Sequence, residues 1–231
     1  MRPVVVLTHM EEDSHEYDGA DIEVTYDSNR CIHARECVEG LPAVFDTGRR
    51  PWVDPDEADA DGVAAVIERC PTGALHYERL DDGPGEAIPG RNTVTVVEDG
   101  PLYLHGNIVV ETDTADELLT DTRVGICRCG HSANKPLCDN SHDRVFTADG
   151  VDADAAVIVD DHTDDATAAP LTVTLTPDGP LRLDGSFVLR TTAGEQTDHT
   201  AATLCRCGGS DDKPHCDGTH ATAGFSTGPA E

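Results

Sequence analysis

The sequence predicts an α+β chain in which a small mixed N-terminal domain precedes two β-rich repeats held together by metal. Three observations carry that prediction. The nine cysteines fall into three groups of three: Cys31, Cys37 and Cys70; Cys127, Cys129 and Cys138; Cys205, Cys207 and Cys216. The second and third groups are copies, because Cys127 and Cys205, Cys129 and Cys207, and Cys138 and Cys216 are each 78 residues apart. Alternating β-branched runs mark the two copies, whereas the clearest helix signal lies upstream of both.

In chain order, Ile22 to Tyr26 alternates like a strand. Asp54-Pro55-Asp56-Glu57 reads as a helix start, with Asp54 as N-cap, proline at the first helical position and an acid three residues after the cap. Val63, Val66 and Ile67 then recur at helical spacing, and Cys70-Pro71 must end the helix. Leu75 to Leu80 reads as a closing strand, and residues 82–90 as a glycine- and proline-rich linker. The repeat itself begins near residue 92. Residues 92–106 resemble residues 171–185, here with an interval of 79 residues, as between Gly100 and Gly179. Each copy predicts a first strand (Thr93–Val97, Thr172–Thr176), an Asp-Gly-Pro turn, a second strand, a glycine bend and a third strand (Ile108–Glu111, Phe187–Arg190). An acidic linker spans about Ala148 to Pro170, with Ala156–Val159 as a candidate strand inside it. The expected domains are 1–81, 91–150 and 168–231.

Composition bounds the function. Aromatics are 4% of 231 residues, thin material for one large core, so small metal-stapled units are expected. Net charge is −29, from 45 acidic and 16 basic residues, and only Lys135 and Lys213 are lysines. That field repels nucleic acid and anionic membranes. Its even spread, with arginine in place of lysine, fits a halophilic, salt-rich cytoplasm. No run approaches the ~18 apolar residues of a membrane span, and the short run Val4–Leu7 does not make a signal peptide. A cytoplasmic location is therefore expected, where thiols bind metals more readily than they form disulfides.

Residues 127–142 and 205–220 both reduce to C-x-C-x2-S-x3-P-x-C-D-x-[ST]-H. Three thiolates and an imidazole in so short a stretch make a metal site. Cys3His is a legitimate zinc set, so a zinc-stapled structural protein stands as one alternative. The C-x-C spacing is tighter than paired zinc ligands usually show and suits two thiolates on one iron of a binuclear centre. Cys138 and His142, like Cys216 and His220, are spaced i and i+4, which one helical turn would bring to one face. Ser132 and Ser210 are candidate donors to cluster sulfur. Asp139 and Asp217 are candidate caps of the short helix. His131 and His215 read as surface residues, since Gly209 and Leu137 take their places in the other copy.

Cys138-Asp-Asn-Ser-His142 and Cys216-Asp-Gly-Thr-His220 resemble the CDGSH, or NEET, family of 2Fe–2S proteins. The resemblance implies that Cys127 and Cys129 hold one iron with Cys138 and His142 on its neighbour, and likewise Cys205 and Cys207 opposite Cys216 and His220. Asn140 departs from the family glycine, although asparagine tolerates a left-handed backbone. A histidine ligand binds when neutral, so acid is expected to release the cluster or shift its potential. Because the family is often dimeric around a two-fold axis, the duplication is expected to build that pairing inside one chain, as a monomer with pseudo-two-fold symmetry.

The first cysteine group, Cys31-Ile-His33-Ala34-Arg-Glu-Cys37 with Cys70-Pro71, resembles half of a bacterial ferredoxin lacking its middle cysteine. The stretch Tyr17 to Tyr77 is similar to the divergent mono-cluster ferredoxin family through segments 31–34, 40–46, 50–52 and 70–75. That resemblance implies a ferredoxin-like domain with a 3Fe–4S cluster on three cysteines, or a 4Fe–4S cluster with His33 or solvent as fourth ligand. Phe45, Trp52 and Val66 are expected in the core. No nucleotide loop, G-x-S-x-G or H-E-x-x-H occurs, so an electron carrier is expected rather than an enzyme, with a cluster donor or a redox or pH sensor as the alternative. Its partner would be a redox protein or an apo iron–sulfur acceptor.

Overall fold

The structure, a computed structural model, describes residues 14–157, 167–192 and 194–228. The Val4–Leu7 run lies outside them, as do Ile158 and Val159 of the candidate linker strand. Ala156 ends a short helical turn, α3 (Ala153–Ala156), rather than opening a strand, and it is buried beside Tyr103 and Val151.

The N-terminal part is a three-stranded antiparallel sheet, β1 (Ser14–Tyr17), β2 (Ile22–Asp27) and β3 (Leu75–Arg79), with β2 in the middle. Two helices, α1 (Glu36–Gly40) and α2 (Ala60–Ile67), lie between β2 and β3 in the chain. Val63, Val66 and Ile67 face inward from α2 onto Ile22, Val24, Phe45 and Leu75, as their spacing requires. The helix starts later than the sequence suggests. Pro55–Glu57 forms only a 3-10 turn, Asp54 caps nothing with its side chain, and Ala58 returns to extended backbone. Asp59 is the cap of α2, its carboxylate accepting from the Gly62 N–H at 2.8 Å.

The rest is mostly β. The first repeat contributes β4 (Thr93–Val96), β5 (Leu102–Thr112) and β6 (Glu117–Ile126); the second contributes β7 (Leu171–Leu175), β8 (Leu181–Thr192) and β9 (Glu195–Leu204). The expected third strands are not separate. Ile108–Glu111 continues β5 through Gly106, and Phe187–Arg190 continues β8 through Gly185. At φ 145° and 129° these glycines make a bulge rather than a turn, and the ladder shifts register there. The true third strands, β6 and β9, pair antiparallel with β5 and β8.

The repeats exchange strands. β4 pairs antiparallel with β5 of its own repeat and parallel with β8 of the other. β7 does the converse, antiparallel with β8 and parallel with β5. One apolar core results, in which Val94, Leu104 and Ile108 pack with Leu171, Leu183 and Leu189. Buried Asn92 ties the seam, donating to Ala169 O (2.8 Å) and Ser186 O (3.0 Å) while its Oδ1 accepts from Asn107 N (2.8 Å).

Candidate metal centres

In both repeats the cysteine loop begins where the third strand ends and is folded back onto that strand. Cys127 N donates to Pro136 O (2.9 Å), Cys138 N to Gly125 O (2.9 Å), and Ile126 pairs with Leu137. The second copy repeats this with Cys205 N to Pro214 O (2.8 Å), Cys216 N to Thr203 O (3.0 Å) and Leu204 opposite His215. The fold-back bonds the third cysteine's N–H to the end of the strand that precedes the first two, and the donors stand in two close pairs. Cys127 Sγ lies 3.6 Å from Cys129 Sγ, and Cys138 Sγ lies 3.3 Å from His142 Nδ1. Cys205 and Cys207 are 3.7 Å apart, and Cys216 is 3.3 Å from His220 Nδ1. The cysteine and histidine meet without an α-helix. A 3-10 turn follows (Ser141–Arg144, Thr219–Ala221), preceded by Asn140 or Gly218 in the left-handed region.

Asp139 and Asp217 are not the N-caps of that turn, which are Asn140 and Gly218; each stands one residue earlier and closes its loop. Asp139 accepts from Ser141 N (2.9 Å) and Ala133 N (2.8 Å), and Asp217 from Thr219 N (2.9 Å) and Asp211 N (2.8 Å), closing each loop end to end. Backbone N–H groups of Asp211 and Thr219 hold the Asp217 carboxyl well below its ordinary range. The serine hydroxyls do not point at sulfur. Ser132 donates to Leu137 O and Ser210 to His215 O, both at 2.7 Å, because a buried hydroxyl takes the nearest free carbonyl. His131 is exposed, while His215 is half-buried.

The thiol donors suit metal ions. The Cys129 thiol hydrogen-bonds to Cys127, and that bond, with N–H groups of Ser132 and Gly130, pulls Cys127 down against burial. Burial pushes Cys138 up to about 12. Such thiols ionise together only when a metal supplies the countercharge. N–H groups of His131 and Gly218 reach Cys129 Sγ and Cys216 Sγ at 3.4 Å. Buried Arg128 and Arg206, at the middle of each C-x-C, leave Arg128 Nη1 and Arg206 Nε without a hydrogen-bond partner among the described residues. Burial lowers both guanidinium groups, against thiol charges on either side of the repeat boundary: Cys205 and Cys129 for Arg128, Cys127 for Arg206. Buried, orphaned guanidinium donors in both C-x-C loops fit an anionic sulfide cluster. The repeat alignment displays both arginines, but not where they point. Cys129 itself bridges to Cys207, so the two loops touch.

The first cysteine group surrounds a cavity of about 720 Å³ lined by Cys31, Cys37 and Cys70, with Tyr26, His33 and Trp52. Cys31 follows β2, Cys37 lies on α1 and Cys70 follows α2. Burial, then the Cys70 charge, pushes Cys37 up to about 11. His33 Nδ1 stands 3.8 Å from Cys31 Sγ, on a backbone at φ 56°. Phe45 and Val66 are buried, and Trp52 packs edge-on against Tyr26 at 4.9 Å. Tyr26, whose hydroxyl pairs with Cys31, and Tyr103, buried beside Cys138, were not visible as site residues in the sequence.

Among the described residues, no three His, Cys, Asp or Glu side chains converge to hold a single metal ion. No described helix is long and apolar enough to cross a membrane. Thiol and imidazole donors in closely spaced pairs are donors of the kind that hold metal, and comparison with known proteins identifies iron–sulfur binding domains. Residues 17–80 match the family described as divergent 4Fe-4S mono-cluster, and residues 99–143 and 178–221 match the iron-binding zinc finger CDGSH type. The chain belongs to these families, with one domain of the first and two of the second. Over 61 residues it is 43% identical to "Uncharacterized protein YjdI" of Escherichia coli (strain K12), covering 26% of this chain and 80% of that protein. The YjdI protein of Escherichia coli O157:H7 matches to the same extent. No solved structure matches.

Proposed function

We propose that the chain is an electron carrier holding two 2Fe–2S clusters and one 3Fe–4S or 4Fe–4S cluster, and that it is not itself an enzyme. The donor pairing carries this reading: Cys127 with Cys129 at 3.6 Å and Cys138 with His142 at 3.3 Å suit one iron each, and the second repeat duplicates both pairs. In the proposal Cys205, Cys207, Cys216 and His220 form the second site, and Cys31, Cys37 and Cys70 the third. His33, 3.8 Å from Cys31, is the candidate fourth ligand there. Bound clusters supply one-electron exchange. The chain's own groups supply negative thiolates, N–H donors to sulfur and a partly dry surrounding, which together set the potential.

The reciprocal pairing of β4 with β8 and β7 with β5, with Cys129 against Cys207, supports reading the duplication as an intrachain counterpart of a symmetric dimer. The acidic surface supports a salt-rich cytoplasm and a soluble redox-protein partner. A second reading, cluster donation to an apo acceptor, draws on exposure. Cys207 and Cys216 are half-buried, whereas Cys129 and Cys138 are buried. One visible spectrum with iron, sulfide and zinc assays, followed by a reduction–reoxidation cycle, tests these readings. Iron and sulfide with reversible bleaching is the expected result. Transfer of clusters to an apo-ferredoxin instead favours donation, and a colourless zinc protein ends both.

A further inference from the structure

The two repeats differ in what lies against them. The N-terminal cysteine loop packs on the first repeat's metal loop. Asn140 Nδ2, between Cys138 and His142, donates to Ile32 O at 2.6 Å, and Ile32 directly follows Cys31. Asn134 Nδ2, in the same metal loop, donates to Asn29 O at 2.7 Å. Ile32, Tyr103 and Cys138 are buried in one apolar cluster, and Tyr103 also lines a narrow crevice with Cys70. The Tyr103 hydroxyl is raised first by burial and then by the Cys138 and Cys70 charges, consistent with a ring lying between the two sites.

Among the described residues, the second repeat's metal loop has no such neighbour. Gly218 occupies the position of Asn140, and a Cβ built on it meets nothing within 4 Å. Asn140 holds the left-handed conformation of that glycine, φ 67° against 91°, despite the steric cost to a residue with a Cβ. Its side chain spends that position on a bond to the N-terminal loop. A continuous route of covalent bonds and one hydrogen bond therefore runs from Cys31 through Ile32 and Asn140 to Cys138 and His142. Packed, bonded routes couple redox centres more strongly than gaps do.

We propose that the N-terminal site and the first CDGSH-type site form a coupled one-electron pair joined through Ile32 and Asn140, and that the second CDGSH-type site reaches the N-terminal one only through the first. This rests on the electron-carrier reading above. The step is the exchange of one electron: one centre is oxidised by one unit, its neighbour is reduced by one, and no bond or proton changes place. Electrons enter from a one-electron reductant, dithionite in the test.

The test uses full-length protein loaded with its clusters, poised in a mediated redox titration where the N-terminal and CDGSH-type centres are both paramagnetic, and examined by electron paramagnetic resonance in perpendicular and parallel modes. The N-terminal signal should be broadened and fast-relaxing in the parent and in Cys216→Ser, and should sharpen in Cys138→Ser. A sharp parent signal, or broadening lost in Cys216→Ser, overturns the proposal. Those two proteins decide the matter even if Cys138→Ser does not fold. With limiting dithionite in a stopped-flow mixer, Asn140→Gly should slow electron redistribution between the two sites at unchanged iron content. An unchanged rate removes Asn140 from the route. Protein that holds no iron, or does not reduce reversibly, ends the carrier reading itself. Protein that reduces reversibly with magnetically isolated centres ends only this inference.

Discussion

Arg30 Nη1 lies 2.6 Å from Asp121 Oδ2, and both side chains are 1% exposed. The arginine comes from the N-terminal loop and the aspartate from β6, so a buried ion pair joins the first metal domain to the first repeat. Arg30 also donates to Thr72 O (2.7 Å) and Arg123 O (2.8 Å). Arg123 in turn reaches Leu75 O (3.0 Å) and Glu86, and His76 bridges Glu86 (2.8 Å) and Asp121 (3.1 Å). The joint beside the metal loops is thus an ionic network whose members satisfy one another.

Asp121→Ala strands the Arg30 guanidinium in a dry site. Breaking one side of a buried pair costs about 3–5 kcal/mol. Chemical unfolding of the loaded protein should show a loss of that order. A loss like that of a surface ion pair, ~1 kcal/mol or less, would mean water reaches the joint.

The same network sets a pH dependence. Burial would lower His76, but the Asp121 and Glu86 carboxylates raise it from 6.5 to about 9. Burial would raise Glu86, but Arg123 and His76 lower it from 4.5 to about 2. A group raised in the fold stabilises fully below its unfolded value and loses that contribution as pH rises through its folded one; a lowered acid does the reverse. Stability from this network is therefore full between about 4.5 and 6.5 and declines towards about 9. Melting temperature against pH at fixed salt should trace the alkaline decline, and His76→Gln should flatten it. An alkaline limb unchanged in that variant refutes the assignment.

Gly130 and Gly208 hold the two metal loops together. Gly130 has φ 83°, and a Cβ there would stand 2.6 Å from Cys207 O; a Cβ on Gly208 would stand 2.5 Å from Cys129 O. Gly130→Ala must both strain the backbone, about 1–2 kcal/mol, and push the loops apart. Gly218→Ala, with φ 91° and open space around it, should bear the backbone cost alone. Melting temperature and iron per chain should both fall further for Gly130→Ala. Equal losses in the two variants would show that the loop contact contributes nothing.

Arg128 is buried and feels the Cys205 charge across the repeat boundary. Removing a positive charge near a cluster disfavours its reduced, more negative form. Arg128→Gln should therefore lower the midpoint potential of the second repeat's centre in a mediated redox titration, with Arg128→Lys restoring part of it. A potential that stays put or rises refutes the assignment.

Much of this was written in local chemistry. The fold-back of each metal loop follows from Cys-x-Cys, a proline and a loop-closing aspartate within sixteen residues, all of which act on their near neighbours in both copies. β2, β3 and the inward face of α2 were legible because β-branched alternation and helical spacing are local patterns. β6 and β9 were not. Their sequences, with Asp121 and Arg123 in one and Glu195 to Thr200 in the other, are too polar to announce strands. They are strands because β5 and β8 offer them a ladder, a long-range condition.

By itself the sequence determined which atoms can grip metal, that the gripping unit is doubled, and that a third cysteine set precedes it. Only the tertiary structure decided that the repeats share strands and one core, that Arg128 is buried against the Val97 and Gly100 carbonyls, and that Asn140 meets Ile32. The reason is physical. Ligand spacing acts over a few bonds and survives in one dimension, whereas strand exchange and charge burial are settled by contacts between residues about a hundred positions apart, whose free energies appear only once the chain has closed.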